Sequence, residues 1–261
     1  MFFFILAGFL SSNSARDGNI VDVVKYGAKG DGQTDDAPAF QEAWKDACSG
    51  GGTFLIPEGN TFLLYPIEFE GPCKASGVHV QVLGKIVSPT KAQAWEEQCN
   101  DWISFRKIDN LIVDGSGEFD GNGKVWWSKR LNCGDRPTNV AFNECTNLKV
   151  SGINSRNSGR NHFSISHCDN AVISNITAIA PEEMFYVFQK SAVDISDVKF
   201  LDIQGTCQGE HAISFNCSSY GSGCTDIEIK NVKITGNDGV DAFCKNAHVE
   251  QSLTSPKVIC S

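Results

Sequence analysis

The chain has 261 residues, a net charge of -9 and 41% hydrophobic residues, which is enough for one large domain or two small ones. This apolar content can build a core, so a disordered or collagen-like chain is excluded. The acidic balance argues against a nucleic-acid-binding protein, which usually carries a basic patch.

The N-terminus predicts export from the cell. Residues 2–10 form an apolar run that is too short to span a bilayer but suits a signal peptide, and small residues follow it. We therefore expect a signal peptide over residues 1–15 and a secreted, extracellular domain over residues 16–261. The alternative is an apolar N-terminal strand.

Cysteine content agrees with an oxidising compartment. Eleven cysteines are present, an odd number that leaves at least one unpaired. Tightly spaced pairs such as Cys-x-x-Cys are absent from the sequence, so a metal site is not predicted. Two sequons permit N-glycosylation, at Asn175 and Asn216.

One amphipathic helix is predicted, over residues 36–47. Apolar residues at 40, 43, 44 and 47 have helical spacing. Thr34 or Asp35 is the expected N-cap, Pro38 suits the first turn, and the glycines at 50–52 end the helix.

The rest of the chain reads as short strands with a degenerate repeat. Each unit has an inward Cys or Ile, a polar turn ending in Asn or Asp, and then alternating apolar residues. Asn147 and Asn170 occupy the same place in the repeat, 23 residues apart, and Asn110 is an earlier copy. Asparagines at a recurring turn can hydrogen-bond to their copies above and below.

A repeat of this length predicts an all-β fold, a single-stranded right-handed parallel β-helix. The alternative is a β-sandwich, which predicts more hairpin turns of the Asn-Gly type than the one at Asn122-Gly123. A β-helix must close its ends. We expect the helix at 36–47 to cap the N-terminal end and the Cys-rich tail, 217–260, to close the other.

Ordered motifs give the chain a resemblance to plant polygalacturonases, in glycoside hydrolase family 28. The matches begin with the stretch Val23–Asp36 and the helix with Trp44 that follows it, and end at the last cysteine. Those between are Gly-Thr-Phe-Leu-Ile-Pro at 52–57, Asp-Gly-Ser-Gly-Glu-Phe-Asp-Gly at 114–121, Trp126-Trp127, and the coil from Asn161 to Glu182. The resemblance covers residues 20–261.

The resemblance implies a pectin-lyase-like β-helix that hydrolyses the α-1,4-galacturonan of pectin with inversion, in the cell wall and without a cofactor. It also implies disulfides Cys217–Cys224 and Cys244–Cys260, since sequence alone cannot set the pairing. Inverting hydrolysis needs separated carboxyl groups, one as acid and the other to activate water.

The family's active-site motifs are not found. Asn-Thr-Asp, a downstream Asp-Asp pair, Gly-His-Gly and Arg-Ile-Lys are all absent from the printed sequence. The stretch after Glu183 resembles the family segment beyond these motifs, which predicts an internal deletion near 183–184 of about 100 residues, or several coils of 22 to 25 residues. An incomplete gene model or a splice form would give the same sequence. No catalytic residue is assigned, and the substrate-binding residues stay unknown.

Several polar residues resemble remnants of a site but have simpler interpretations. Asp35-Asp36 is interpreted as part of the helix cap, and His211 as an ordinary coil residue. Surface or stacking positions are expected for His162 and His167, and turn positions for Asp238 and Asp241. A local defect is expected around 183–191.

Four hypotheses follow. The first is an inactive chain of polygalacturonase descent, and the second a non-catalytic wall protein that binds pectin. The third, an active enzyme that uses other carboxylates, conflicts with the need for paired acids. The fourth, a pectate lyase, would need calcium-binding acidic clusters.

Pectin or polygalacturonate is the expected partner, no nucleic acid or membrane is expected, and the protein should be a monomer.

Overall fold

The computed structural model describes residues 19–95, 100–127, 136–179, 185–188, 196–207, 211–217, 223–236 and 240–261, with only the backbone given at 185–188. The predicted signal peptide at 1–15 lies outside these described residues.

Short strands make up most of the described chain. In chain order they are β1 (Ile20–Asp22), β2 (Asp31–Asp35), β3 (Thr53–Ile56), β4 (Thr61–Leu63), β5 (Ile67–Glu70), β6 (Val78–Val82), β7 (Lys85–Val87), β8 (Asp101–Arg106), β9 (Leu111–Gly115), β10 (Glu118–Asp120), β11 (Thr138–Asn143), β12 (Lys149–Ser151), β13 (Asn154–Arg156), β14 (Phe163–Ser166), β15 (Ala171–Ile179), β16 (Phe185–Phe188), β17 (Val198–Cys207), β18 (His211–Asn216), β19 (Cys224–Gly236), β20 (Asp241–Lys245) and β21 (Ala247–Ser252).

The helical elements are few. Helix α1 spans Ala37–Gly50 and helix α2 spans Lys124–Trp127, with two 3-10 turns at Val23–Tyr26 and Ala92–Trp95. The described strands pair in parallel and form two sheets of 14 and 7 strands. The smaller sheet, here called sheet B, runs in the order β20-β18-β16-β14-β11-β8-β5. The larger one is called sheet A.

The chain visits sheet B and then two successive parts of sheet A in every turn, so each turn is one coil of a right-handed parallel β-helix. The predicted fold class is therefore confirmed, and the β-sandwich is wrong because its strands would pair antiparallel. In β15, β17 and β19 one continuous strand supplies both parts of sheet A. These strands bend at Asn175, Asp202 and Asn231, which have positive φ angles of 50°, 53° and 53°. Asn and Asp tolerate this left-handed conformation better than most residues.

The core is a column of stacked apolar side chains. On sheet B the inward position runs through Phe69, Phe105, Phe142 and Ile165, register partners on successive strands. The rings of Phe69 and Phe105 stack 5.0 Å apart, and those of Phe105 and Phe142 5.5 Å apart. Alternation along each strand therefore points the residues next to these away from the core.

Helix α1 covers the N-terminal end, as predicted. Phe40, Ala43, Trp44 and Ala47 are its buried residues. The N-cap is Asp36, which is one residue after Asp35, the later of the two predicted N-cap residues. Asp35 nevertheless accepts a hydrogen bond from the Ala37 N–H at 3.1 Å, while the Asp36 carboxylate accepts from the backbone N–H groups of Lys29 and Gly30.

The predicted asparagine ladder is present. The Asn147 side chain donates to Asn110 Oδ1 at 3.0 Å, and that of Asn170 donates to Asn147 Oδ1 at 2.5 Å. All three residues have positive φ angles, of 54°, 56° and 53° along the chain. The repeat in the sequence thus marks the turn at which successive coils are linked by side-chain amides.

Disulfides close both ends of the described helix. Cys217–Cys224 and Cys244–Cys260 are the two pairs that the resemblance implies, and Cys48–Cys73 ties α1 to the first coils. Cys145 and Cys168 are buried free thiols on successive coils.

The register is continuous across the place where the sequence predicts a deletion. Strand β15 pairs with β17 from Ala171↔Val198 to Ile179↔Thr206. On sheet B, β16 pairs with both β14 and β18. The expected defect at 183–191 lies outside the described residues apart from the backbone of β16, which is an ordinary strand. The coils on the two sides therefore stack as neighbours in one solenoid.

Candidate functional site

The outward face of sheet B is the candidate site, because its long row of parallel strands forms an extended surface along the solenoid. One outward row runs through Glu68, Ser104, Ala141 and Ser164 by register, and it resumes on the far side of β16 at Ser214 and Phe243. Ser104 and Ser214 are buried despite pointing outward. Small and hydroxyl-bearing residues therefore dominate the middle of this face.

The carboxylates of sheet B lie at its two ends and at its margin. Strands β11, β14, β16 and β18 contain no Asp or Glu in their sequences. Of the strands at the ends, β5 contributes Glu68 and Glu70, β8 contributes Asp101, and β20 contributes Asp241. The central strands thus offer neither an acid nor a base of the carboxyl type.

The two glutamates of β5 are engaged with their neighbours. Glu68 accepts a hydrogen bond from Ser104 Oγ at 3.2 Å and lies 4.0 Å from the Arg106 guanidinium. Glu70 lies 4.0 Å from Lys107 Nζ. Partly exposed pairs of this kind contribute little energy, and they place opposite charges beside both carboxylates.

His211 and Asp241 form a pair at the far end of the face. Nδ1 of His211 lies 2.5 Å from Asp241 Oδ1, and the imidazole ring lies 5.5 Å from the Phe243 ring. The side chains are 35% and 61% exposed. The turn predicted for Asp241 is wrong, because the parallel register makes it the first residue of β20, opposite His211. Asp238 lies outside the described residues. The pair is one imidazole and one carboxylate, not two separated carboxyls.

A buried polar cluster lies under the start of β14. His162 is completely buried, and its Nδ1 lies 2.7 Å from Ser155 Oγ. Ser155 Oγ also accepts a hydrogen bond from the Asn139 side chain at 3.0 Å. Burial lowers the pKa of His162 to about 3, so the ring is neutral near pH 7. His162 therefore belongs to the interior of the stack, not to the surface, while the half-buried His167 lies 2.8 Å from Ser166 Oγ.

A second acidic group lies on the outward face of sheet A and is an ion-pair network. Lys85 Nζ lies 3.0 Å from Glu118 and 2.9 Å from Asp120, and Arg156 Nε lies 2.6 Å from Glu118. Burial opposes ionisation of Asp120, but hydrogen bonds from Asn157, Lys85 and the Asn122 N–H outweigh it and hold the pKa of this carboxyl below its ordinary value. Lys85 and Asp120 therefore both stay charged, and a carboxyl group that is already ionised cannot donate a proton as a general acid.

The two sequons differ in exposure. Asn175 is exposed at the bend of β15, whereas Asn216 is half-buried at the end of β18 beside the disulfide-bonded Cys217. Within the described ranges no group of three His, Cys, Asp or Glu residues is arranged to hold a metal ion. In that same part of the chain, no helix is long and apolar enough to cross a membrane.

Two solved structures with the same architecture carry the names of polysaccharide hydrolases. An endo-xylogalacturonan hydrolase from Aspergillus tubingensis matches with a TM-score of 0.63 at 23% identity, over 89% of this chain and 68% of that one. An exopolygalacturonase from Thermotoga maritima matches with a TM-score of 0.51 at 16% identity, over 88% and 81%. At such identities the likeness establishes the fold, a parallel β-helix.

Sequence relatives establish the family. The family model described as "Glycosyl hydrolases family 28" matches residues 48–184 and 186–253, and the chain belongs to this family. A protein named "Probable polygalacturonase" from Arabidopsis thaliana is 36% identical over 259 residues, which is 95% of this chain and 53% of that protein. Polygalacturonase-2 of Solanum lycopersicum is 33% identical over 229 residues, 85% of this chain and 48% of that protein. The chain thus spans about half the length of these curated relatives.

Proposed function

We propose that this chain is a polygalacturonase-type scaffold for the galacturonan of pectin, secreted to the cell wall, that does not cleave the polymer as it stands. The scaffold is supported by the family match and by the polygalacturonases among its relatives. Three disulfides agree with an oxidising compartment and hence with a signal peptide at 1–15.

The observation that carries the proposal is the lack of carboxylates on β11, β14, β16 and β18. Inverting hydrolysis needs two carboxyl groups about 6.5 to 9.5 Å apart. One protonates the leaving oxygen, and the other activates a water molecule on the opposite face of the sugar ring. The partnered glutamates of β5 and Asp101 of β8 lie on one side of these strands, and the single Asp241 of β20 lies on the other. No acid and base therefore face one another across this part of the sheet.

We attribute the missing carboxylates to the internal deletion near 183–184. The family match falls into two blocks that meet at residue 185, which supports a junction there. The continuous register of β15 with β17 supports a shortened solenoid that still stacks, because each coil contacts mainly its neighbours.

The test is a reducing-end assay on polygalacturonate with the purified full chain. We expect no release of reducing ends above a protein-free blank, because no facing acid and base lie on the described strands of sheet B. Release of reducing ends above the blank would contradict the proposal. The Asp241→Asn variant would then show whether the His211–Asp241 pair is responsible, since its loss removes the carboxylate but keeps the strand.

A non-catalytic cell-wall or pectin-binding protein is the second candidate function. The observation in its favour is a cleft on sheet A that is lined by Lys233 and Lys257, since a polyanionic ligand requires local positive charge on a chain whose net charge is -9. Retention of the protein on immobilised polygalacturonate without turnover is the expected result.

A further inference from the structure

A cleft of about 480 Å³ opens at the C-terminal end of sheet A, away from sheet B. Strand β19, the end of β21 and the tail that follows it form its walls. The lining residues used below are Lys233, Ser252, Leu253, Ser255 and Lys257. Its volume is in the range of sites that hold small ligands.

The cleft is positively charged. Lys233 and Lys257 line it, and none of its lining residues is an Asp or a Glu. Among the residues that the structure describes, neither lysine takes part in an ion pair. Both ammonium groups are therefore available to an anion, and this local charge opposes the acidic balance of the whole chain.

The walls are held in place before any ligand arrives. The tail pairs with β19 at Lys233↔Ser255, where the Ser255 N–H donates to the Val232 carbonyl at 2.9 Å and the Ile234 N–H donates to the Ser255 carbonyl at 2.9 Å. Gln251 bonds both backbone groups of Val258, at 2.6 and 2.9 Å. A preorganised site loses less entropy on binding than a flexible one.

An apolar side chain stands at the same cleft. Leu253 is 79% exposed and has a φ angle of 51°. This left-handed conformation is unfavourable for a bulky residue, and such strain is maintained by its surroundings. The exposed leucine offers an apolar contact of the kind that the C–H face of a sugar ring can cover, beside serine hydroxyls that can bond its hydroxyl groups.

From these features we propose that the cleft binds a carboxylated oligosaccharide, with the two lysines on its carboxylates and Leu253 against a sugar ring. The choice of galacturonate as ligand depends on the proposed function. The site is separate from the face of sheet B and would hold the polymer to the scaffold without contributing to cleavage.

The experiment is calorimetric titration of the full chain with trigalacturonate at low ionic strength. The double variant Lys233→Gln with Lys257→Gln is expected to bind about tenfold more weakly or worse, because each removed charge-assisted hydrogen bond contributes strongly to binding. The matched control is Lys25→Gln with Lys149→Gln, which removes the same charge from exposed positions in the first 3-10 turn and on β12 and should bind like the unmodified protein.

Two further titrations define the ligand class. Methyl-esterified trigalacturonate should bind weakly, because it lacks the carboxylates. Inorganic phosphate should not compete at equal concentration, and equal competition would overturn the sugar assignment in favour of a general anion site. The Leu253→Ser variant should bind trigalacturonate more weakly than the unmodified protein does.

Equal affinity of the cleft variant and the control variant would overturn the location of the site. No binding of trigalacturonate by the unmodified protein would overturn the inference as a whole. The proposed absence of cleavage is decided separately by the reducing-end assay, so the two proposals can fail independently.

Discussion

At the scale of single residues, burial decides what a polar side chain can do. His162 has the ring type expected of a proton carrier, yet it is completely buried and its pKa is lowered to about 3 by desolvation. Its hydrogen bond to Ser155 holds the neutral ring inside the stack. The half-exposed His211 and Asp241 lie 2.5 Å apart on the surface, where both can be reached by solvent.

The buried imidazole makes stability depend on pH. Between about pH 6.5, the ordinary pKa of histidine, and about pH 3, its pKa in the folded protein, the unfolded chain binds a proton that the folded one does not. Stability therefore falls on acidification through this window, by up to about 1.4 kcal/mol per pH unit from this group. The free energy of unfolding of His162→Gln should fall less steeply as the pH is lowered. Urea unfolding at pH 7, 6, 5 and 4 measures this slope.

The matched control is His248→Gln, which replaces an exposed histidine of β21 and should leave the pH dependence of the free energy of unfolding unchanged. The same slope in His162→Gln as in the unmodified protein would show that His162 is not the group responsible.

At the scale of elements, helix α1 joins the aromatic core through Trp44. Trp44 is 3% exposed, packs against Phe69 at a ring distance of 5.1 Å, and donates from Nε1 to the Glu70 carbonyl at 3.1 Å. It therefore joins the helix to the top of the aromatic column.

Truncation of this residue should uncover the end of the column. Trp44→Ala is expected to lower the free energy of unfolding by about 3 to 5 kcal/mol, from lost burial and the cavity left behind. Lys45→Ala, in the next position but exposed and paired with the exposed Glu42, should change it by less than about 1 kcal/mol. Urea unfolding followed by circular dichroism measures both, and similar losses for the two variants would contradict a capping role.

The elements were largely predictable because their signals are local and repeated. The face of α1 could be assigned from the spacing of Phe40, Ala43, Trp44 and Ala47, and the ladder from the recurrence of Asn147 and Asn170 at one place in the repeat. The N-cap was predicted one residue early because Asp35 and Asp36 both suit a cap in sequence. The structure separates them, since Asp36 is bonded to the Lys29 and Gly30 N–H groups.

At the scale of the whole molecule, the continuity of the solenoid is the decisive property. Strand β17 pairs with β15 on one side and β19 on the other, so the coils before and after the predicted deletion share one sheet. Ile176, Ile203 and Val232 are register partners in this stack and are buried. An unbroken core of this kind couples the two parts thermodynamically.

Coincident unfolding curves are the expected result. All five tryptophans lie at or before Trp127, so fluorescence reports the N-terminal coils, whereas far-ultraviolet circular dichroism reports strands throughout. One urea midpoint by both probes is predicted. Ile203→Ala should move both midpoints down together, and separate midpoints in the unmodified protein would show that the C-terminal coils unfold independently.

The sequence by itself determined the fold, the capping helix, the turn ladder and the family, because these depend on periodicity and on motifs that are contiguous along the chain. The tertiary structure alone decided which distant charged and titratable side chains meet. His211 reaches Asp241, 30 residues away, and Lys233 comes to lie beside the tail that carries Lys257, because parallel coils place residues about one repeat apart in register. A charge or a proton donor acts over only a few ångströms, so its function depends on that register, which no local pattern in the sequence records.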